Sequence, residues 1–456
     1  MSNSLKFGTS GLRGLATDLV GTESRRYAAA FLRHLRTRGP VAEILVGRDL
    51  RQSSPDIARS VIAGLDVPVI DCGELPTPAL ALEAIRRRAP AIMVTGSHIP
   101  ADRNGLKFYR ADGEIDKADE AGILAALGDA PELDRPAEVE TRALPRYLDR
   151  HLALLPKGAL HGKRIGVWQH SSVARDAFVD ALEMFGAEIV PLGWSATFIP
   201  VDTEAVAADT AAELAAWVRE HTLDALISTD GDADRPLLVD ERGQLVRGDI
   251  IGILTARFLR ADAVVTPVTS NSSIEGTGAF AKVIRTKVGS PFVIAGMGQG
   301  AGTIVGFEAN GGVLLGSDVA IGDATISALP TRDALLPILA VLGAAQEARS
   351  TISELVSTLP PRIARSDRLE HVPHERTALL MARLNEDAAS FLAPQGTIAA
   401  ISVIDGLRYE FTTGDVIHYR PSGNAPELRC YTEAATAARA DELLAWGLKA
   451  AEAMVR

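Results

Sequence analysis

The sequence predicts an α/β protein: three similar α/β domains, then a C-terminal α+β domain with an antiparallel sheet. Two patterns carry this reading. From residue 44 onward, short apolar runs of β character alternate with helix-length segments, the order expected of strand-helix-strand units. After Pro360-Pro361 the alternation stops, and four short strands joined by turn residues lie between two helices. A length of 456 residues leaves room for several cores.

Gly8-Thr9-Ser10-Gly11-Leu12-Arg13-Gly14 opens the chain as a glycine-rich loop with one arginine. Such glycines let backbone amides approach a phosphate while Arg13 forks around its oxygens; a plain terminal turn fits equally. Strands are expected at 44–46, 67–70 and 91–95, with helices at 54–65 and 78–88. Ser54 and Pro55 mark the start of the first of these helices. Residues 106–109 and 113–115 suit a β-ribbon, and 118–127 a helix. Pro131, Pro136 and Pro145 mark a linker over 129–145. The second unit reads as strands 164–168, 187–190 and 225–228 with helices 173–185 and 203–221. The third reads as helices 250–258 and 272–280, strands 263–265 and 303–307, and a long apolar helix over 323–345. The last has helices at 375–391 and 435–454 around strands 398–403, 408–411, 416–419 and 428–431. The expected domains are 1–137, 138–246, 247–360 and 361–456.

Acidic residues outnumber basic ones by 58 to 47, giving a net charge of −11. This argues against nucleic acid as a partner, because phosphate backbones need clustered Lys and Arg. A small anion in a local basic pocket stays open. Cys72 and Cys430 are distant in sequence and in no metal-ligand spacing, which suits a reducing cytosol. Residues 1–20 have no apolar signal core and no run of 18 apolar residues occurs. A cytoplasmic protein with no membrane segment is expected.

Four further observations bear on chemistry. Thr95-Gly96-Ser97-His98 follows the apolar run 91–94, so a strand delivers a hydroxyl with a histidine beside it. Ser97 there suits either a phosphoryl or acyl carrier or a turn serine bonding its own backbone. Asp230-Gly231-Asp232-Ala233-Asp234-Arg235 sets three carboxylates at every other position, a ligand set for a hard cation such as Mg²⁺ or Ca²⁺. A solvated acidic turn is one alternative and an aspartate-nucleophile phosphatase another. An EF-hand fits poorly, with Arg235 at the glycine position and strand-like flanks. Gly306-Phe307-Glu308-Ala309-Asn310-Gly311-Gly312 suits sugar-hydroxyl recognition or an Asn-Gly hairpin. Arg420-Pro421-Ser422-Gly423-Asn424, continuing to Arg429, suits a metal-free phosphate cradle or a polar hairpin loop.

In this order, the loops resemble those of the α-D-phosphohexomutase family: phosphomannomutases, phosphoglucomutases and phosphoglucosamine mutases. The resemblance spans essentially the whole chain, and the pair of motifs at Ser97 and Asp230–Arg235 is its most specific part. It implies four domains around a central cleft. It also implies interconversion of hexose 6-phosphate and hexose 1-phosphate through phosphoserine and a hexose 1,6-bisphosphate, with Mg²⁺. By position, Ser97 matches the phosphorylated serine and contributes an oxygen to the metal, with Asp230, Asp232 and Asp234 as its other ligands. Arg235 matches the arginine beside the transferring phosphate, His98 the flanking histidine, and Lys107 a proton-transfer lysine. A lysine beside other cations has a lowered pKa, which suits Lys107 as general base; holding phosphate is its other reading. Glu308 and Asn310 match the sugar loop. Arg420, Ser422, Gly423, Asn424 and Arg429 match the loop for the non-reacting phosphate, and Arg13 and Lys287 match basic residues facing the cleft. The implied partners are small sugar phosphates, not nucleic acid or membrane, and the implied assembly is a monomer or homodimer.

The chain departs from the family pattern at three places. Ile99-Pro100 stands where Asn-Pro is usual, Asn310 where Ser is usual, and Gly312 where several members have His. The variants at 95–100, 307–312 and 420–429 are most similar to bacterial phosphomannomutases. Phosphoglucomutase and phosphoglucosamine mutase are the alternatives within the family. An aspartate-nucleophile phosphatase and a non-catalytic sugar-phosphate-binding protein are the alternatives outside it.

Overall fold

A computed structural model describes residues 4–8, 11–422 and 426–455. The chain forms two compact units, Met1–Val265 with Gly289–Val356, and Thr266–Val288 with Ser357–Arg456. Among the described residues, no helix is long and apolar enough to cross a membrane.

In the first unit, the apolar runs become central strands buried on both faces. Val69–Glu74, Ile44–Arg48 and Ala91–Val94 pair in parallel. Arg103–Arg110 then returns antiparallel to Ala91–Val94. Helices Thr22–Arg36 and Ser54–Ala63 cover this sheet. Ser54–Ala63 buries Ile57, Ala58 and Val61 along one stripe, into a core holding Phe31, Ile92 and Phe108. In the second sheet Glu188–Leu192, Arg164–Trp168 and Ala225–Thr229 run parallel. Pro236–Asp240 returns antiparallel to Ala225–Thr229. In the third, Ala263–Pro267 runs parallel to Ile304–Phe307, and Val313–Leu315 returns antiparallel.

One arrangement thus occurs three times. A central strand ends, a short loop follows, and the next strand runs back beside it. The loops so placed are 95–102, 230–235 and 308–312, at the carboxyl ends of their strands, where open α/β sheets bind ligands.

The second unit holds an antiparallel sheet in the order Ile363–Leu369, Leu428–Ala434, Val416–Pro421, Leu407–Phe411, Ile398–Ser402. Helices His374–Leu392 and Ala437–Val455 share a core with it that includes Leu380, Leu384, Tyr409, Tyr419 and Leu443. Residues 266–288, with strand Lys282–Thr286, belong to this unit.

Several expectations are corrected. The glycine-rich opening is a hairpin: Lys6–Gly8 pairs with Gly11–Leu15, which joins the first sheet beside Arg103–Arg110. Thr9 and Ser10 lie outside the described residues. The helix expected over 323–345 begins only at Leu335. Gly322, at φ +57°, instead turns a hairpin between Val319–Ile321 and Ala324–Ile326, and Leu329–Asp333 is a strand. Asp333 Oδ1 then accepts the N–H groups of Leu335 and Leu336 and caps the helix. The helix expected from 203 starts at Ala208, and the one expected over 272–280 is the single turn Ser273–Gly276. Glu138–Val139, expected to open the second domain, adds to the first sheet beside Val69–Glu74. Helix Thr22–Arg36 and strand Ile363–Leu369 form where no element was expected.

Candidate active site

The serine loop is held from below. Asp49 Oδ2 accepts the Thr95 hydroxyl at 2.7 Å, and Thr95 Oγ1 accepts the Ser97 N–H at 2.8 Å. Buried Arg51 donates to the carbonyls of Ser97, Ile99, Pro100 and Arg103 at 2.6–2.9 Å. Its guanidinium lies 4.0 Å over the Phe198 ring. Gly96 makes room for it, since a Cβ there would lie 2.6 Å from Arg51 Cζ. Ser97 itself adopts φ +53°, a left-handed conformation that costs a non-glycine residue about 1 kcal/mol or more. The loop so braced aims Ser97 Oγ at Asp230 Oδ2, 2.5 Å away. His98 Nδ1 lies 3.3 Å from Ser97 Oγ. Burial, with Arg235 and Arg13 nearby, lowers the His98 pKa to about 2, so the ring is neutral at pH 7.

The aspartate loop curls around Ala233 at φ +59°. It gathers one ligand atom each from Asp230, Asp232 and Asp234 within 4.8 Å of one another, all buried. Asp232 Oδ2 accepts Lys107 Nζ at 2.5 Å and Thr77 Oγ1 at 2.5 Å. Asp234 Oδ2 accepts Lys107 Nζ at 2.6 Å and Arg332 at 2.8 and 3.1 Å. The other oxygens, Asp232 Oδ1 and Asp234 Oδ1, are buried without a hydrogen-bond partner. Burial and the two neighbouring carboxylates push the Asp230 carboxyl well above the usual range. Two orphaned oxygens, a crowded carboxyl and the Ser97 hydroxyl form an all-oxygen donor set, which fits Mg²⁺.

The cations around the triad are shared out. Arg235 Nε lies 3.6 Å from Asp234 Oδ1 and 4.0 Å from Asp230 Oδ2. Arg13, on Gly11–Leu15, has its pKa lowered to about 10 by burial and by Arg235 and Arg332. Three guanidiniums in one neighbourhood favour an anion among them. Lys107 corrects an expectation. Burial works against its charge, but Asp232 and Asp234 outweigh that and raise its pKa. It is a protonated cation here, not a lysine with a lowered pKa.

The third loop is a hairpin, as its Asn-Gly allows. Glu308 is buried and bonded to Arg332 Nη1 at 2.8 Å. Asn310 was expected to face substrate. Its Oδ1 accepts the Gly312 N–H at 3.0 Å and closes the turn, while its carbonyl accepts Thr203 Oγ1.

The second unit carries the other anion-binding candidates. Arg420 Nε donates to Asp405 Oδ2 at 2.7 Å, and that oxygen also accepts the N–H of Val288, next to exposed Lys287. Arg420 sits directly opposite Arg429, and Arg429 opposite Arg368. Like charges side by side across strands are unfavourable alone. The Glu427 carboxylate lies 3.6 Å from both Arg368 Nε and Arg429 Nη2 and offsets part of this charge. The Ser422 N–H donates to the Glu427 carbonyl and closes the loop base. Gly423 and Asn424 lie outside the described residues.

Sequence reasoning did not single out Asp49, Arg51, Thr77, Arg332, Arg368 or Asp405. Only Asp49-Leu50-Arg51 carried a signal, a polar run directly after a strand and before a serine cap.

Comparison with known proteins places the chain. Residues 4–132, 145–243 and 247–363 match phosphoglucomutase/phosphomannomutase alpha/beta/alpha domains I, II and III, and 371–445 match the C-terminal domain of that family. A phosphomannomutase of Sinorhizobium fredii is 50% identical over 465 residues, covering 97% of this chain and 98% of that protein. A phosphomannomutase of Salmonella muenchen is 44% identical, covering 94% and 92%. The fold matches a crystal structure of a phosphoglucomutase/phosphomannomutase family protein from Burkholderia thailandensis, with TM-score 0.79, 21% identity, and 100% and 99% of the chains covered. It also matches Aspergillus fumigatus N-acetylphosphoglucosamine mutase in complex with GlcNAc-6P and magnesium, with TM-score 0.58, 15% identity, and 99% and 96% covered. The chain belongs to the phosphoglucomutase/phosphomannomutase family, the phosphohexomutases, and is a mutase of that kind.

Proposed function

We propose that this mutase interconverts mannose 6-phosphate and mannose 1-phosphate, with Ser97 as the phosphoryl carrier. The observation that carries the reading is the braced Ser97 hydroxyl 2.5 Å from Asp230, beside two carboxylates that each leave one buried oxygen unpaired. The mannose assignment rests on the two relatives named phosphomannomutase. Asp230, Asp232, Asp234 and the Ser97 oxygen would hold Mg²⁺, which neutralises charge on a transferring phosphoryl group when bound.

The chain's own residues do the rest. Phosphorylated Ser97 gives its phosphoryl group to the free hydroxyl of the sugar phosphate: the Ser97 Oγ–P bond breaks as the sugar O–P bond forms, and the hydroxyl proton ends on Ser97 Oγ. The resulting hexose 1,6-bisphosphate turns around and returns its other phosphoryl group to Ser97. Arg235 and Arg13 place positive charge where the phosphoryl oxygens gain negative charge. Such transfers depend on positioning and electrostatics more than on a strong base. Lys107 therefore acts as a cation that orients Asp232 and Asp234, and neutral His98 supports the Ser97 oxygen. Glu308 reads sugar hydroxyls, and Arg420, Ser422, Arg429 and Lys287 hold the phosphate that is not reacting.

Intact-mass measurement of the purified protein tests the carrier directly. A one-phosphate increment that is lost in Ser97→Ala, together with loss of mutase turnover, is the expected result. Full turnover in Ser97→Ala would overturn the proposal. Comparing kcat/KM for mannose, glucose and glucosamine phosphates tests the sugar.

A further inference from the structure

Arg332 lies outside every role assigned above except as a neighbour. It is 3% exposed, near the end of strand Leu329–Asp333. Its Nε and Nη2 donate to Asp234 Oδ2, and its Nη1 donates to Glu308 Oε2. One planar fork thus takes one oxygen from the aspartate loop and one from the sugar loop. Asp234 Oδ1 is left without a hydrogen bond, and Arg332 bonds only the Oε2 oxygen of Glu308. The stem of Arg332 passes Gly312: a Cβ there would lie 2.6 Å from Arg332 Cδ and 2.7 Å from the Asp234 carbonyl oxygen. Gly312 is one of the places where the chain departs from the family pattern, and the missing side chain is what admits the arginine.

We propose that Arg332 is a positioning residue that sets the distance between sugar recognition and the metal loop, filling the space that Gly312 leaves. The inference rests on reading Glu308 as the sugar-binding carboxylate. A buried ionic triad gives little net stability over apolar residues of similar size, so a merely structural tie would not need one. This triad instead fixes two carboxylates while hydrogen-bonding only one oxygen of each. Only a guanidinium spans both acceptors in a plane; an ammonium is a point charge that cannot bond both in that geometry.

The test measures binding rather than turnover, with Mn²⁺ followed by electron paramagnetic resonance and mannose 1-phosphate by calorimetry. Arg332→Met is expected to weaken mannose 1-phosphate about tenfold or more and Mn²⁺ several-fold. Arg332→Lys is expected to recover Mn²⁺ binding, because a charge remains beside Asp234, without recovering sugar binding. Arg332→Met that binds both ligands within twofold of wild type overturns the proposal, as does Arg332→Lys that restores both. Glu308→Gln separates the two readings. Wild-type sugar binding in Glu308→Gln means the reading of Glu308 fails. Weakened binding there with unchanged Arg332→Met means only the coupling fails. If Arg332→Met does not fold, Arg332→Met/Glu308→Gln removes one charge of each sign, and its Mn²⁺ affinity is compared with that of Glu308→Gln. A ratio under twofold overturns the coupling, and a several-fold loss supports it.

Discussion

Replacing Arg51 with Met should separate the shape of the serine loop from its chemistry. Arg51 contacts neither the aspartate triad nor an anion site by hydrogen bond; its four hydrogen bonds all go to loop carbonyls between Ser97 and Arg103. Hydrogen bonds to a charged group contribute about 1.5–3 kcal/mol each, but four made by one side chain are not additive. The substitution also strands Asp49, whose carboxylate lies 3.4 Å from Arg51 Nε in a fully buried pair. Breaking such a pair costs about 3–5 kcal/mol. Taking about 4 kcal/mol, and roughly 3 °C per kcal/mol for a domain of this size, the transition of the first domain should fall by about 12 °C. Ser97 then loses the support for its left-handed conformation, and a drift of about 1 Å at a reacting group costs on the order of 10²-fold in rate. The expected pattern in a coupled assay is a kcat lowered about 10²-fold with KM for the sugar phosphate nearly unchanged. Calorimetry reads the stability. Arg51→Met with kcat within threefold of wild type and an unmoved transition would show that the loop holds its shape without the arginine.

Three further outcomes are expected. Gly96→Ala drives a methyl into Arg51 Cζ; it should reproduce most of the kcat loss of Arg51→Met, and the double variant should be no worse than either single one. Asp232→Asn removes the charge from a carboxylate whose Oδ1 has no protein partner; Mn²⁺ affinity should fall at least about tenfold with the melting transition retained, and unchanged affinity would remove Asp232 from the ligand set. His170 and His418, both buried, have pKa values lowered to about 4, chiefly by burial. Their neutral forms stabilise the fold fully above pH about 6.5, and that contribution is lost as pH falls toward 4, by about 3 kcal/mol for each. Urea titrations from pH 7.5 to 4.5 should show this fall, and His418→Gln should flatten it; an unchanged slope would refute the assignment.

Which parts of the site were legible follows from which interactions are local in sequence. Asp230, Asp232 and Asp234 cluster because alternate positions of one tight loop converge, so spacing alone announces them. Ser97 is legible only together with them: its own stretch suits a turn serine as well, and the Asp triplet and the Arg420 loop select the carrier reading. The brace beneath Ser97 is not legible, because Arg51 acts from 46 residues upstream and meets only backbone carbonyls, which have no sequence signature. Arg332 is hidden for another reason. Its neighbours Leu329, Leu335 and Leu336 give the segment an apolar character that reads as helix, and the signals that break it, Gly322 and the Asp333 cap, are single residues. Lys107 shows a third kind of limit. The sequence places a lysine near cations, but the sign of its pKa shift depends on whether carboxylates or guanidiniums lie nearer, and that is decided by the pairing of Arg103–Arg110 with Ala91–Val94.

The repeated hairpin explains why these distant residues meet at all. In each of the three sheets, the functional loop joins a central strand to an antiparallel return strand, so both flanks of the loop are fixed by a ladder of backbone hydrogen bonds. A strand beyond the loop, the return strand or its antiparallel neighbour, then supplies a second functional position in two of the sheets. Arg103–Arg110 carries Lys107 back to the aspartates, and Leu329–Asp333, paired to Val313–Leu315, carries Arg332 to Glu308 and Asp234. Pairing to a strand fixes which face a residue presents, since a one-residue slip would turn Lys107 away from the triad. Insertions in the return strands should therefore harm activity more than insertions of equal length in helix-to-strand connections, because they change the register of the groups that hold the carboxylates and leave those groups buried and unpaired.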